Sequence, residues 1–448
     1  MIKKFNVSRD DSVYEAWPDV VLTDGGKLIC VFSECEHHLN REGARLMLTE
    51  SLDRGRTWSE KRPLTEKGSA NEYFNCARIS KLNDGTLAII CDKVYGNENR
   101  KADIRIWHGD GEGLEWSEPT VFPSFCGIVP DKFTELRSGR QIISAHFKNP
   151  ETGKLEQYLW YSDDGGKTWS ERVTVAADPK YNLCEVSILE YEEGKLVAYL
   201  RENSVKGYPI LKVLSADGGE TWSEIYNTSM DSGHRPVSGF LADGRVMVTY
   251  RYIPSGTQNT FAAFMSRDSI EATGRREQRI RVVPLDYDRN PSPDIGYTGW
   301  VQFSDGEIYV VNYIKDDADR AFIRGYSFYP DFSSNPPRYC LMTEIKGDVS
   351  EEKRQEMIDT LHDELKEVNE KYFKYIRWGM LGRPEILILK PNTYWDYRES
   401  LRAQGVVLNQ IKPVTVINTK PREEFFFSHI LTEESSTIDF YHEHKNDE

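Results

Sequence analysis

No run of the chain approaches 18 consecutive apolar residues, so nothing in it is built to span a membrane. Basic excess is also lacking: 57 Lys and Arg stand against 72 Asp and Glu, a net charge of −15. A body this acidic repels phosphate backbones, which argues against nucleic acid as a partner but leaves room for a local basic pocket. The cysteines are few and odd in number (30, 35, 76, 91, 126, 184 and 340), with no Cys-x-x-Cys pair and mostly apolar surroundings. That excludes a disulfide framework and a structural zinc. Neither a glycine-rich phosphate loop nor a His-x-x-x-His spacing is present, so no cofactor is expected. A structural calcium held by backbone carbonyls would leave no such trace. Residues 1–10 carry charge without an apolar run behind them, unlike a signal peptide, and the expectation is a reduced, cytoplasmic protein. The chain does have bulk: 448 residues, 39% hydrophobic, with 24 Tyr and 10 Trp. Such a supply fills a sizeable core and rules out global disorder.

Repetition organises the first three quarters. Ser51-Leu-Asp-Arg-Gly-Arg-Thr-Trp58, Ser162-Asp-Asp-Gly-Gly-Lys-Thr-Trp169 and Ser215-Ala-Asp-Gly-Gly-Glu-Thr-Trp222 match, each followed by Ser-Glu, and Trp116-Ser-Glu118 ends a decayed fourth copy. Asp in such a cluster accepts backbone N–H bonds and Gly takes positive φ, so each octet reads as a tight turn that the Trp anchors between sheets. A second series of hairpin signals runs through Asp24-Gly25, Asp84-Gly85, Ser138-Gly139, Glu193-Gly194, Asp243-Gly244 and Asp305-Gly306, flanked by β-forming residues. A period of roughly fifty to sixty residues with several strands per unit predicts a β-propeller, and six hairpins predict six blades. An irregular β-sandwich is the alternative.

The repeat fades near residue 330. Residues 331–337 read as a linker, although 339–345 could still close the last blade, and the propeller is assigned to 1–345. Residues 349–376 then change period, with Met357, Leu361, Leu365, Val368, Tyr372 and Tyr375 on one face of a long helix that Asp348 or Ser350 can cap. Strand-like runs follow at 385–389, 405–408 and 413–417. Residues 346–448 are therefore expected to form a smaller α/β or α+β appendage, a possible homo-oligomerisation element. The tail with His442 and His444 reads as a solvated charged end rather than a metal site.

The octets resemble the Asp boxes of the sialidase superfamily, Ser-x-Asp-x-Gly-x-Thr-Trp turns on an all-β, six-bladed propeller, and the resemblance covers roughly residues 10–330. It implies a fold and says nothing by itself of chemistry, because the family places these turns away from the catalytic face. Counting back from each hairpin places Trp17-Pro-Asp19, Asn75 to Arg78, Pro130 to Lys132, Cys184-Glu185, His234-Arg-Pro236 and Gly296-Tyr297 where first strands start at the channel. The second strands end there with Glu34, Asp92, His146, Arg201, Arg251 and Tyr313. The resemblance implies that Tyr297 is a nucleophile, that Glu185 is the base polarising it, and that Arg201 binds a substrate carboxylate. A neutral phenol beside a carboxylate suits an anomeric carbon that carries its own carboxylate, which would repel an anionic nucleophile.

Two departures stand out. The family's first arginine precedes a Pro in blade 1, where this chain reads Tyr14-Glu-Ala-Trp-Pro18; Arg78, Arg235 and Arg251 are the candidates to rebuild the clamp, with His38 and His146 as further substrate-binding candidates. The family's acid/base is an Asp in the loop after the first hairpin. Here that loop, 33–42, has none, which leaves Glu36, His37, His38 or Glu42, or Asp19 from blade 1. The expected activity is exo-hydrolysis of a terminal, acidic sugar from an oligosaccharide or glycoside, with retention. A polysaccharide lyase, a neutral-sugar exo-glycosidase acting through Asp19 and Glu185, and a non-catalytic glycan-binding propeller remain open.

Overall fold

The computed structural model of the protein describes residues 2–69, 71–96, 101–122, 127–254, 257–330, 338–347, 349–377, 381–407, 414, 417 and 420–431. The linker expected at 331–337, together with Asp348, Cys126, His442 and His444, lies outside the described residues.

Two units make up the chain, Ile2–Tyr329 and a second that starts at Pro330. The first contains six antiparallel sheets in chain order, a propeller of six blades. Blade 1 begins with Tyr14–Leu22, blade 4 with Leu183–Glu192, blade 5 with Gly233–Phe240 and blade 6 with Gly296–Gln302. The Tyr14–Leu22 strand is buried on both faces for almost its whole length, because neighbouring blades pack against it from either side. Between blades lie apolar layers such as Val31, Leu48, Ile79 and Ile89. The octets fold as their chemistry requires. Ser162 Oγ accepts the Gly166 N–H at 2.9 Å, Asp164 accepts the Thr168 N–H and hydroxyl at 2.9 and 2.7 Å, and Trp169 Nε1 donates to the Gly166 carbonyl at 3.2 Å. The Trp169 ring meets Phe122 of the preceding blade edge to face. In the decayed copy Asp110, one position displaced, still accepts the equivalent N–H, that of Glu115, at 2.8 Å.

Blade 6 is closed from the other end of the sequence. Lys3–Ser8 pairs with Phe322–Phe328 and takes the outer position for which residues 339–345 were a candidate. Cys340–Glu344 instead pairs in parallel with Glu385–Leu389 in the second unit. A parallel pair needs a long crossover, and the helices Glu351–Val368 and Glu370–Arg377 supply it. These two replace the single helix expected over 349–376. Asn369 divides them, because its side chain accepts the Tyr372 N–H at 3.0 Å and so caps the second helix, while Ser350 caps the first at 3.2 Å. Residues 405–407 form no strand; of 413–417 only 414 and 417 are described, and they too lie outside any strand. Helices Thr393–Ala403 and Lys420–Ser428 complete this unit around Leu389, Tyr397 and Phe426. No described helix is long and apolar enough to cross a membrane.

Candidate functional site

At the axial end of four of the six first strands the propeller repeats one backbone device. Register breaks occur between Ala16 and Asp19, Cys184 and Ser187, His234 and Val237, and Gly296 and Gly299. Each break holds one non-glycine residue at positive φ: Trp17 at 54°, Glu185 at 49°, Arg235 at 50° and Tyr297 at 32°; Val129 does the same at 52° before the first strand of blade 3. Bulges re-aim side chains, and backbone strain of about 1–3 kcal/mol per residue persists only where the surroundings enforce it.

Two of these residues meet. The Tyr297 hydroxyl donates to Glu185 Oε1 at 2.5 Å, across 112 residues of sequence. Arg201 Nη1 lies 2.8 Å from both Glu185 oxygens, and its Nη2 donates to Asn203 at 2.7 Å. The Arg235 guanidinium lies 5.1 Å from the centre of the Tyr297 ring. Burial works against charge on Glu185, but the Arg201 and Arg235 guanidiniums and the Tyr297 hydroxyl outweigh it and hold the carboxyl far below its usual range. Burial and the Glu185 charge push the Tyr297 phenol well above its own. The resting pair is thus a neutral phenol hydrogen-bonded to a carboxylate.

The other candidates divide by depth. Arg78 and Asp19 are fully buried and face each other, Arg78 Nε 3.4 Å from Asp19 Oδ2. Asp19 also accepts the Ile79 N–H at 3.0 Å and lies 3.4 Å from Lys132 Nζ. Arg78 donates to the carbonyls of Pro18 and Thr298. These contacts tie blades together, and a carboxylate so paired and enclosed has no route to a leaving group. Arg235 donates to the Pro130 carbonyl, while its Nε and Nη1 have no hydrogen-bond partner among the described residues. Arg251 donates to the Ile295 carbonyl at 3.2 Å. Burial pushes His146 down to about 4 and His234 to about 3. Glu34 turns away from the channel to Arg45 and Lys61.

Above the pair opens a cavity of 530 Å³ lined by His38, Arg41, Asn75, His146, Glu185 and Tyr297, among others. Arg41 was not singled out in the sequence. Its guanidinium lies 4.1 Å over the Trp17 ring, its Nε donates to the His38 carbonyl at 3.1 Å and its Nη1 to the Asn75 side chain. Trp17 stands where the superfamily's first arginine was sought, and a guanidinium from the loop after the first hairpin covers it. Glu36 and His37 are absent from this lining. Glu36 is exposed and accepts from Asn40, and His37 accepts the Leu39 N–H beside a neighbouring groove. His38 turns inward, where Tyr14 and Asp294 hold it. Tyr14 and Asp294 carried no local signal; only the closure of blade 6 onto blade 1 juxtaposes them.

A family model described as a BNR repeat-like domain matches residues 75–310, more than half of the chain. A second, described as the GH3 family C-terminal domain, matches residues 309–421. The chain is similar to a sialidase of Clostridium perfringens, 26% identical over 231 residues, which cover 44% of this chain and 59% of that protein. It is 31% identical to an anhydrosialidase of Macrobdella decora over 132 residues, 26% of this chain and 16% of that one. The matches thus span less than two thirds of these curated relatives. Among solved structures, a protein of unknown function from Dyadobacter fermentans superposes with a TM-score of 0.62 at 20% identity, covering 73% of this chain and 98% of that one. The NanB sialidase from Streptococcus pneumoniae does so at 0.54 and 13%, covering 72% and 69%. At these identities the superpositions speak for the fold, and the family match for descent: the chain belongs to the BNR repeat-like family, as a six-bladed propeller of the sialidase superfamily.

Proposed function

We propose that the propeller is an exo-acting glycoside hydrolase that removes a terminal acidic sugar with retention, Tyr297 being the nucleophile. The observation that carries this reading is the 2.5 Å contact of the Tyr297 hydroxyl with Glu185, inside a shell of guanidiniums. As the phenol oxygen bonds to the anomeric carbon, its proton passes to Glu185. The arginines that lower the charge cost on Glu185 also stabilise the phenolate character that develops between them. A carboxylate beside the anomeric carbon is drawn into a body of net negative charge by Arg41 at the cavity wall and by Arg201 and Arg235 behind it.

The test is release of aryl glycosides of sialic acid, Kdn, uronic acids, rhamnose, fucose and arabinose by wild type and Tyr297→Phe. Turnover of one acidic glycoside, abolished in the variant, is the expected outcome. Turnover of a neutral glycoside that survives the substitution overturns it. Cleavage of uronate polymers with an ultraviolet-absorbing product would instead make the protein a lyase.

A further inference from the structure

A retaining hydrolase needs a proton donor for the leaving oxygen, and the cavity offers few. Asp19 is enclosed and paired with Arg78. His146 is buried, pushed to about 4, and turns Nδ1 toward the Glu185 N–H. Glu42 sits exposed at the mouth with its carboxylate on the Asn71 N–H. His38 remains, and its surroundings are built. Its Nδ1 lies 2.9 Å from Asp294 Oδ2 and 2.9 Å from the Tyr14 hydroxyl, which itself donates to Asp294 Oδ2 at 2.6 Å. An ionised carboxylate only accepts, so Nδ1 carries a hydrogen and Nε2 is the nitrogen that exchanges a proton.

Asp294 is itself fixed. Its N–H donates to Asp288 Oδ2 at 2.9 Å, and Asp288 also accepts the N–H groups of Asn290, Lys315 and Asp316. Gln258 takes the neighbours on either side, the Pro293 carbonyl and the Ile295 N–H. The loop ahead of the nucleophile strand is thus held from several directions so as to present one carboxylate to a histidine of blade 1. Burial opposes charge on Asp294, but His38 and Tyr14 hold it below its ordinary value. The edges and faces of Tyr14, Trp17 and Tyr313 surround the imidazole, and Arg41 is the charged group on its backbone side.

We propose that His38, oriented by Asp294 and Tyr14, is the general acid/base of this propeller, in place of a loop aspartate. The proposal rests on the hydrolase reading above. In the first step Tyr297 Oη bonds to the anomeric carbon and yields its proton to Glu185. The glycosidic C–O bond breaks as the His38 imidazolium passes its Nε2 proton to the leaving oxygen. In the second step neutral His38 takes a proton from water, the hydroxide oxygen bonds to the anomeric carbon, and the Tyr297 phenolate departs and recovers its proton from Glu185. The sum is one water consumed and two hydroxyl products. Asp294 is a positioning residue that stabilises the imidazolium.

The experiment compares the 4-nitrophenyl and methyl glycosides of the sugar that the panel identifies. Nitrophenolate leaves without a proton and methanol does not. His38→Gln should lower kcat/KM on the methyl glycoside by roughly 10²–10⁴-fold and on the nitrophenyl glycoside by less than about tenfold. Asp294→Asn should give a smaller loss with the same leaving-group split, larger on the methyl than on the nitrophenyl glycoside, because the imidazole loses the acceptor that orients it. Thermal unfolding and near-ultraviolet circular dichroism of both variants separate these effects from misfolding. Equal losses on the two glycosides, or the leaving-group split in Glu42→Gln rather than His38→Gln, overturn the proposal and leave the Tyr297 reading intact. Activity surviving in Tyr297→Phe overturns the nucleophile assignment alone, and silence of the wild type on every glycoside overturns both the hydrolase reading and the proposal.

Discussion

The outer turns and the axial strand starts of the propeller both recur, the turns in blades 1 to 4 and the bulged strand starts in blades 1, 4, 5 and 6, yet what repeats differs. At the turns the residues recur, Ser, Asp, Gly, Thr and Trp, and positive φ falls on glycines such as Gly55, Gly166 and Gly219, with Arg54 at 63° where the other octets have Gly165 and Gly218. At the axis the backbone recurs and the residues do not: Trp17, Val129, Glu185, Arg235 and Tyr297 share a positive φ and almost no chemistry. Where one side chain is kept in every copy, it makes the same local hydrogen bonds each time, and its task is the fold. Where one geometry carries a different side chain in each copy, the blades supply different parts to a common centre. Strained non-glycine backbone is not confined to that centre, since Arg54, Val205 and Asn392 also hold positive φ, but only there does it recur at one place in five blades.

Substitutions can break the contrast. The largest effect belongs to Tyr297→Phe, which should lower kcat by roughly 10³-fold or more. It should cost only about 1–2 kcal/mol of unfolding free energy, because Glu185 keeps Arg201. Denaturant unfolding beside steady-state kinetics checks both halves. Next comes Glu185→Gln. It leaves Arg201 and Arg235 buried without their shared counter-charge and should cost about 3–5 kcal/mol as well as activity. A loss no larger than that of Tyr297→Phe would mean that the guanidiniums find other partners.

Acid sensitivity is third. His146 and His234 ordinarily titrate at 6.5, and burial lowers them to about 4 and about 3. The unfolded chain therefore binds these protons more readily than the folded one. The stability tied to their neutral forms is complete above about pH 6.5 and is lost as pH falls through the folded values, by about 3 kcal/mol for His146 alone. His146→Asn should flatten the pH dependence of the urea midpoint between pH 6.5 and 4; an unchanged slope would show that His146 binds its proton equally in the folded and unfolded chain. The smallest effect should come from an outer turn. Ser215→Ala removes the acceptor of the Gly219 N–H and the donor to Asp217, costing about 1–2 kcal/mol while kcat/KM stays within twofold.

How much of this was legible in the chain follows the same division. The octets and hairpin signals are local chemistry, and they yielded six blades directly. Register from the hairpins placed Tyr297 and Glu185 at the channel, and the structure brings their side chains together. Register gives no depth, however, which is why Asp19 and Arg78 looked like site residues when they close on each other in the interior. Loop 33–42 shows the same limit at the rim: of its candidates, His38 turns into the cavity and is held there, whereas Glu36 and His37 do not reach it. Arg41 escaped notice because a lone arginine on a loop has no pattern; its role comes from Trp17 beneath it.

By itself, then, the sequence determined the turns, the strand period and the blade count, since each depends on residues within a few positions of one another. Only the tertiary structure decided which strand closes blade 6, how deep each charged side chain lies, and that Tyr14, His38 and Asp294 share one proton network. The physical reason is ring closure. Juxtaposing the two ends of a propeller depends on burial and ion pairing summed over all six blades, and no local stretch of chain carries that sum.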